Sequence, residues 1–220
     1  MAGWFMLFRF KRFFCHAGLI LLLYQAFPAK AEGLRLLALG DSLSSGYGLH
    51  KNQGFAPRLE EALRARGRDV KVINGGVAGD TTAGGLARLD WALAESPHAV
   101  LLELGANDML RGLPPEGALR NLDVILGRLK DRRIPVLLIG MKASANFGAD
   151  YAKRFDSLYP RLAKTHNVSL YPFFLEGVAL NPKLNQDDGL HPNALGVDEI
   201  VRRILPFAER LLNEAKARHP

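Results

Sequence analysis

Four short polar clusters carry the residue types that acyl transfer needs. Gly40-Asp41-Ser42-Leu43 offers a serine, Asn74-Gly75-Gly76-Val77-Ala78-Gly79-Asp80 a glycine-rich turn, Gly105-Ala106-Asn107-Asp108 an amide, and Asp187-Asp188-Gly189-Leu190-His191-Pro192 a histidine behind two carboxylates. A serine hydroxyl becomes a nucleophile only with a base to take its proton, an acid to orient that base and donors for the oxyanion. Taken singly, each cluster is also an ordinary turn, because Ser, Gly, Asp and Asn bond the backbone at turns and helix starts.

The spacing in the last cluster separates His191 from the other histidines. Asp188 stands three residues earlier, so one turn can bring its carboxylate to the imidazole Nδ1–H and leave Nε2 free as a base. Asp187 is the competing partner at four residues. His16, His50, His98, His166 and His219 have no such flanking cluster. Gly79 lacks a side chain, so its N–H can approach a substrate oxygen; the Asn107 amide and the Ser42 N–H complete a three-donor oxyanion hole. The competing readings are a tight turn at Gly79, before a helix capped by Thr81 or Thr82, and an Asx-turn at Asn107.

The elements that must position these groups alternate. Short apolar runs at 34–39, 70–73, 99–104, 134–139 and 168–171 read as five buried strands. Helical spacing links Leu59 and Leu63, then Leu86, Leu89 and Leu93, then Leu119, Leu122, Leu126 and Leu129, then Phe155, Leu158 and Leu162. A last helix is expected over about 193–216, bent or broken at Pro206. The pattern predicts a three-layer α/β/α fold around a mostly five-stranded parallel sheet. Ligands of such sheets bind beyond the carboxyl ends of the strands, where all four polar clusters fall.

These clusters, in this order, resemble the four blocks of the SGNH, or GDSL, hydrolase family, closest to its thioesterase, lysophospholipase and arylesterase branch. The resemblance covers nearly the whole chain after residue 31, including Gly84-Gly-Leu-Ala-Arg-Leu89, Leu110-Arg-Gly112, Tyr159-Pro-Arg-Leu162 and Pro172-Phe-Phe174. It implies a flavodoxin-like SGNH hydrolase fold, with Ser42 as nucleophile, His191 as base and Asp188 orienting it. Ser42, Gly79 and Asn107 would form the oxyanion hole, Ser44 and Ser45 would be turn residues, and the Asp41 carboxylate would tie down backbone N–H groups of neighbouring loops. The implied reaction is hydrolysis of a small-molecule acyl ester or thioester, with activity falling below pH ~6 as imidazole protonates.

Composition narrows the setting. The chain has 220 residues, 48% of them hydrophobic, enough for one α/β domain. Arg9, Lys11 and Arg12 precede a mostly apolar run at 13–27 and then Ala29-Lys30-Ala31, the layout of a secretory signal peptide. Residues 1–31 are read as that leader and 32–220 as the hydrolase domain, periplasmic or secreted; an uncleaved anchor is the alternative. Of 29 basic residues, Arg9, Lys11, Arg12 and Lys30 fall in the leader, which holds none of the 22 acidic ones; 25 against 22 leaves +3. That modest, dispersed charge argues against nucleic acid as a partner, and no stable membrane insertion is expected once the leader is gone. Cys15, the one cysteine, is in the leader, so the domain has no thiol chemistry. Neither a metal-ligand cluster nor a phosphate-cradling G-x-x-x-x-G-K loop is apparent, so no cofactor and no metal are expected, and the chain is read as a monomer or dimer.

Substrate choice should lie in the loops at 109–115 and 141–148. Met109, Leu110, Leu113, Met141 and Phe147 either line an apolar acyl groove or anchor their loops on the core. The first reading favours medium to long acyl chains. Two rivals remain, a carbohydrate O-acyl esterase with an open polar cleft and a non-catalytic lipid-binding module.

Overall fold

The computed structural model describes Met1 and residues 33–218. The expected leader therefore lies outside the described residues, its first residue excepted. Five strands form in the five apolar runs: β1 (Leu34–Gly40), β2 (Val70–Gly76), β3 (Ala99–Glu103), β4 (Val136–Ile139) and β5 (Ser169–Tyr171). They pair in parallel in the order β2-β1-β3-β4-β5. Leu36 to Leu39, all of β3 and all of β4 are buried, as expected where helices cover both faces of a parallel sheet.

Strand ends differ from the expected runs for local reasons. β2 continues to Gly76 because 74–76 still pair with 38–40 of β1. β4 starts two residues late: Pro135 has no N–H to give a ladder, and the Ile134 N–H closes the preceding turn on the Leu129 carbonyl.

Helices α2 (Phe55–Ala65) and α9 (Ala194–Arg218) pack together on one face; α3 (Thr82–Ala87), α6 (Pro115–Asp131) and α8 (Leu158–His166) cover the other. Two expected helices each divide. The 86–93 pattern becomes α3 and α4 (Leu89–Leu93), separated at Arg88, and the 155–162 pattern spans α7 (Ala149–Asp156) and α8, separated at Ser157. Conversely, α9 runs unbroken through Pro206. The proline ring and the carbonyl of Arg202 that it orphans are on the exposed side, where water can bond the carbonyl. Ile204, Leu205, Ala208 and Leu211 hold the buried side on the core across that point.

Strand order reverses between β1, whose sequence neighbour β2 lies on one side, and β3 on the other. Single-turn helices α1 (Ser42–Ser45) and α5 (Ala106–Leu110) begin at the ends of these two strands. No helix among the described residues is long and apolar enough to cross a membrane.

Candidate active site

Ser42 owes its position to Asp41. The Asp41 carboxylate caps α1 by accepting the Leu43 N–H at 3.0 Å, which turns the chain sharply off β1 and makes Ser42 the first helical residue. First-turn N–H groups have no intrahelical partner, and among the described residues neither the Ser42 nor the Gly79 N–H is taken by a protein acceptor.

His191 reaches Ser42 from the far edge of the sheet. The loop after β5 returns across the strand ends and is fastened at several points. Gln186 donates from Nε2 to the carbonyls of Tyr47 at 2.8 Å and Pro192 at 3.0 Å, while its N–H meets the His191 carbonyl at 2.8 Å. Asn185, buried, donates to the carbonyls of Val178 and Asn181. His191 Nε2 then lies 2.9 Å from Ser42 Oγ and Nδ1 lies 2.6 Å from Asp188 Oδ2. The Tyr47 ring flanks the imidazole at a centroid distance of 4.7 Å. Asp188 Oδ1 accepts the N–H groups of Leu190 and His191, and these bonds, with the imidazole itself, hold the carboxyl down at about 2. Asp187, the competing carboxylate, is exposed.

Gly79 and Asn107 come from the loops after β2 and β3. Gly79 adopts φ +82°, a left-handed conformation natural to glycine, in a turn closed by the Asp80 N–H on the Val77 carbonyl. Asn107 Nδ2 donates to Asp41 Oδ2 at 3.1 Å, leaving its second amide hydrogen available. The two loops are stapled together: buried Asp108 accepts the Thr82 N–H and hydroxyl, each at 2.7 Å. Arg88 pairs with Asp80 at 2.6 Å and donates to the Gly40 carbonyl at 2.8 Å, joining the Gly79 loop to the end of β1. Thr81 supplies the α3 cap.

Beneath the serine lie two carboxyls. Asp41 and Glu103 are buried, and Glu103 Oε2 accepts the Ser44 hydroxyl at 2.8 Å. Burial pushes Asp41 up to about 6 against the pull of its Leu43 and Asn107 bonds, and burial beside Asp41 drives Glu103 well above the usual carboxylate range. Ser44 is thus more than a turn residue, and Asp41 grips the Asn107 side chain and its own helix rather than backbone N–H groups of other loops. Glu103 was open to detection as the lone acid in the apolar run Ala99-Val-Leu-Leu-Glu-Leu104; Tyr47 left no comparable signal.

The residues expected to line a groove divide. Met109 and Met141 are buried, with Met109 Sδ accepting the Ser144 N–H, whereas Leu110 and Leu113 are exposed. Phe147 packs on the Tyr151 ring at 5.3 Å, and the Tyr151 hydroxyl donates to the Leu113 carbonyl, tying the two loops together.

Residues 38–198 match the GDSL-like lipase/acylhydrolase family. An arylesterase from Vibrio mimicus is 43% identical over 79% of this chain and 87% of its own. The thioesterase 1/protease 1/lysophospholipase L1 of Escherichia coli K12 is 40% identical over 80% and 81%. The crystal structure of AlinE4, an SGNH-hydrolase family esterase, superposes with a TM-score of 0.70 at 46% identity, covering 84% of this chain and 99% of its own. The chain therefore belongs to the GDSL-like lipase/acylhydrolase family and is an SGNH serine hydrolase.

Proposed function

We propose that the enzyme hydrolyses carboxylic esters and thioesters through an acyl-enzyme on Ser42. The observation that carries the reading is the line from Ser42 Oγ through His191 to Asp188, with spans of 2.9 and 2.6 Å. Ser42 Oγ attacks the substrate carbonyl as its proton passes to His191 Nε2. Asp188 holds the tautomer with hydrogen on Nδ1 and stabilises the imidazolium. The carbonyl oxygen, now negative, collects the N–H groups of Ser42 and Gly79 and the free amide hydrogen of Asn107. Collapse of the intermediate breaks the bond to the alcohol or thiol, which takes the proton from His191. Water, deprotonated by His191, then attacks the acyl-enzyme; the carboxylic acid leaves and Ser42 Oγ regains its proton.

Aryl esters, acyl-CoA-type thioesters and lysophospholipids are the substrates to test, in keeping with the arylesterase and thioesterase/lysophospholipase relatives. Exposed Leu110 and Leu113 beside the site favour acyl chains of medium length or longer. Residues 1–31 act in this reading as an export signal that delivers the domain to the periplasm or beyond.

The test is hydrolysis of p-nitrophenyl esters from acetate to palmitate by the purified protein and by Ser42→Ala prepared identically. Loss of activity by several orders of magnitude, with the folded state retained, supports the nucleophile. Equal activity in both proteins overturns it, and fastest turnover of acetate overturns the acyl-chain preference.

A further inference from the structure

Arg111 touches the backbone of both loops that supply the outer oxyanion donors. Its own N–H donates to the Asn107 carbonyl at 3.1 Å, and its guanidinium Nη2 donates to the Gly79 carbonyl at 2.7 Å. The side chain is exposed, and among the described residues no carboxylate forms an ion pair with it. A Cβ placed on Gly79 would meet one group within 4 Å, that same Nη2 at 3.7 Å. The guanidinium therefore lies directly against the residue whose N–H is read as an oxyanion donor.

Glycine at positive φ leaves a turn free to rotate its peptide planes, and a donor that must reorient during the reaction gives up most of its advantage. The Asp80 to Val77 bond closes the Gly79 turn on itself. The Asp108 staple to Thr82 joins the two loops three residues beyond Gly79, whereas the Arg111 guanidinium, carried at the end of α5, bonds the Gly79 carbonyl itself. An uncompensated cation beside a developing oxyanion also favours the charged state electrostatically.

We propose that Arg111 is a positioning residue of the oxyanion hole, locking the Gly79 turn to the Asn107 loop and setting a positive charge beside the developing negative oxygen. The inference rests on the assignment of Gly79 and Asn107 as oxyanion donors. Arg111 itself touches the donor loops, not the reacting atoms.

The experiment measures kcat and KM for p-nitrophenyl butyrate, together with thermal midpoints, for the wild type, Arg111→Ala, Arg111→Lys and Arg111→Gln, with Asn107→Ala alongside. Arg111→Ala is expected to lower kcat about ten- to a hundredfold, with KM and the thermal midpoint nearly unchanged. Arg111→Lys, which keeps a charged donor, should recover most of the loss. Arg111→Gln keeps a donor without the charge, and its deficit against the wild type should shrink between low salt and ~1 M salt, where exposed charges are screened. Wild-type kcat in Arg111→Ala beside a crippled Asn107→Ala overturns this inference alone. A rise confined to KM also overturns it, since that is the behaviour of a substrate contact. Full activity in Asn107→Ala overturns the oxyanion-hole reading and this inference with it.

Discussion

Glu103 Oε2 accepts the Ser44 hydroxyl at 2.8 Å, which places a fully buried carboxyl directly behind the turn that carries Ser42. Among the described residues its other oxygen, Oε1, has no hydrogen-bond partner. Burial disfavours the charged form of this carboxyl, and burial likewise pushes the neighbouring Asp41 up to about 6, although both of its oxygens accept hydrogen bonds.

The pair makes stability depend on pH in the direction opposite to a salt-bridged carboxylate. Both acids bind protons more tightly folded than unfolded, so the native state is favoured below about pH 4 and loses that advantage as pH rises through about 6 and beyond. Glu103→Gln removes one titrating group while keeping the size of the side chain and an acceptor for the Ser44 hydroxyl. The variant should therefore gain on the wild type progressively as pH rises from 4 to 8, read from paired denaturation curves. Parallel curves across that range would show that Glu103 does not titrate with folding.

The candidate clusters of Ser42, Gly79 and Asn107 were legible because each follows a strand end that the alternation of apolar runs with helical spacing located, whereas that of His191 lies well beyond the end of β5 and is brought back by its loop. Ser42, Gly79, Asn107, Asp188 and His191 gather at one edge. What failed to show in the sequence depends on partners far along the chain. Arg88 divides α3 from α4 while bonding Asp80 and Gly40, and Arg111 reads as one more loop arginine until its bond to the Gly79 carbonyl is seen. The break allowed for at Pro206 does not occur, since a rule for isolated helices takes no account of a helix held on the core by its buried face.

Gly105 should tolerate no side chain. It stands at φ +122°, opening α5 just before Asn107, and an added Cβ would collide with the buried Tyr159 hydroxyl, which donates to the Leu104 carbonyl at 3.0 Å. Gly105→Ala combines backbone strain with overpacking, about 2–4 kcal/mol together, and should lower the thermal midpoint by roughly 5–15 °C. Adding Tyr159→Phe clears the obstructing oxygen, so the double variant should be more stable than additivity predicts. Strict additivity would mean that the hydroxyl is not the obstacle.

Asp188→Asn should separate orientation of the imidazole from the rest of the machinery. The asparagine oxygen can still accept the Leu190 and His191 N–H groups that now reach Oδ1, so the loop keeps its shape. Its amide nitrogen, however, would face Nδ1 as a donor, favouring the tautomer with hydrogen on Nε2, which cannot take the proton of Ser42. The expected loss in kcat is about 10²- to 10⁴-fold, with little change in thermal midpoint. Because Asp188 is held at about 2, it stays ionised in any ordinary assay, and that loss should be constant from pH 7 to pH 9, above the limb on which imidazole protonates. Its depressed value favours the folded state above about pH 4, an advantage lost only as pH falls through about 2; at an exposed side chain solvent keeps it small. A deficit that shrank steeply between pH 9 and pH 7, with the wild type falling to meet the variant and the fold intact, would mean that the Asp188 carboxylate titrates far above the value its bonds impose.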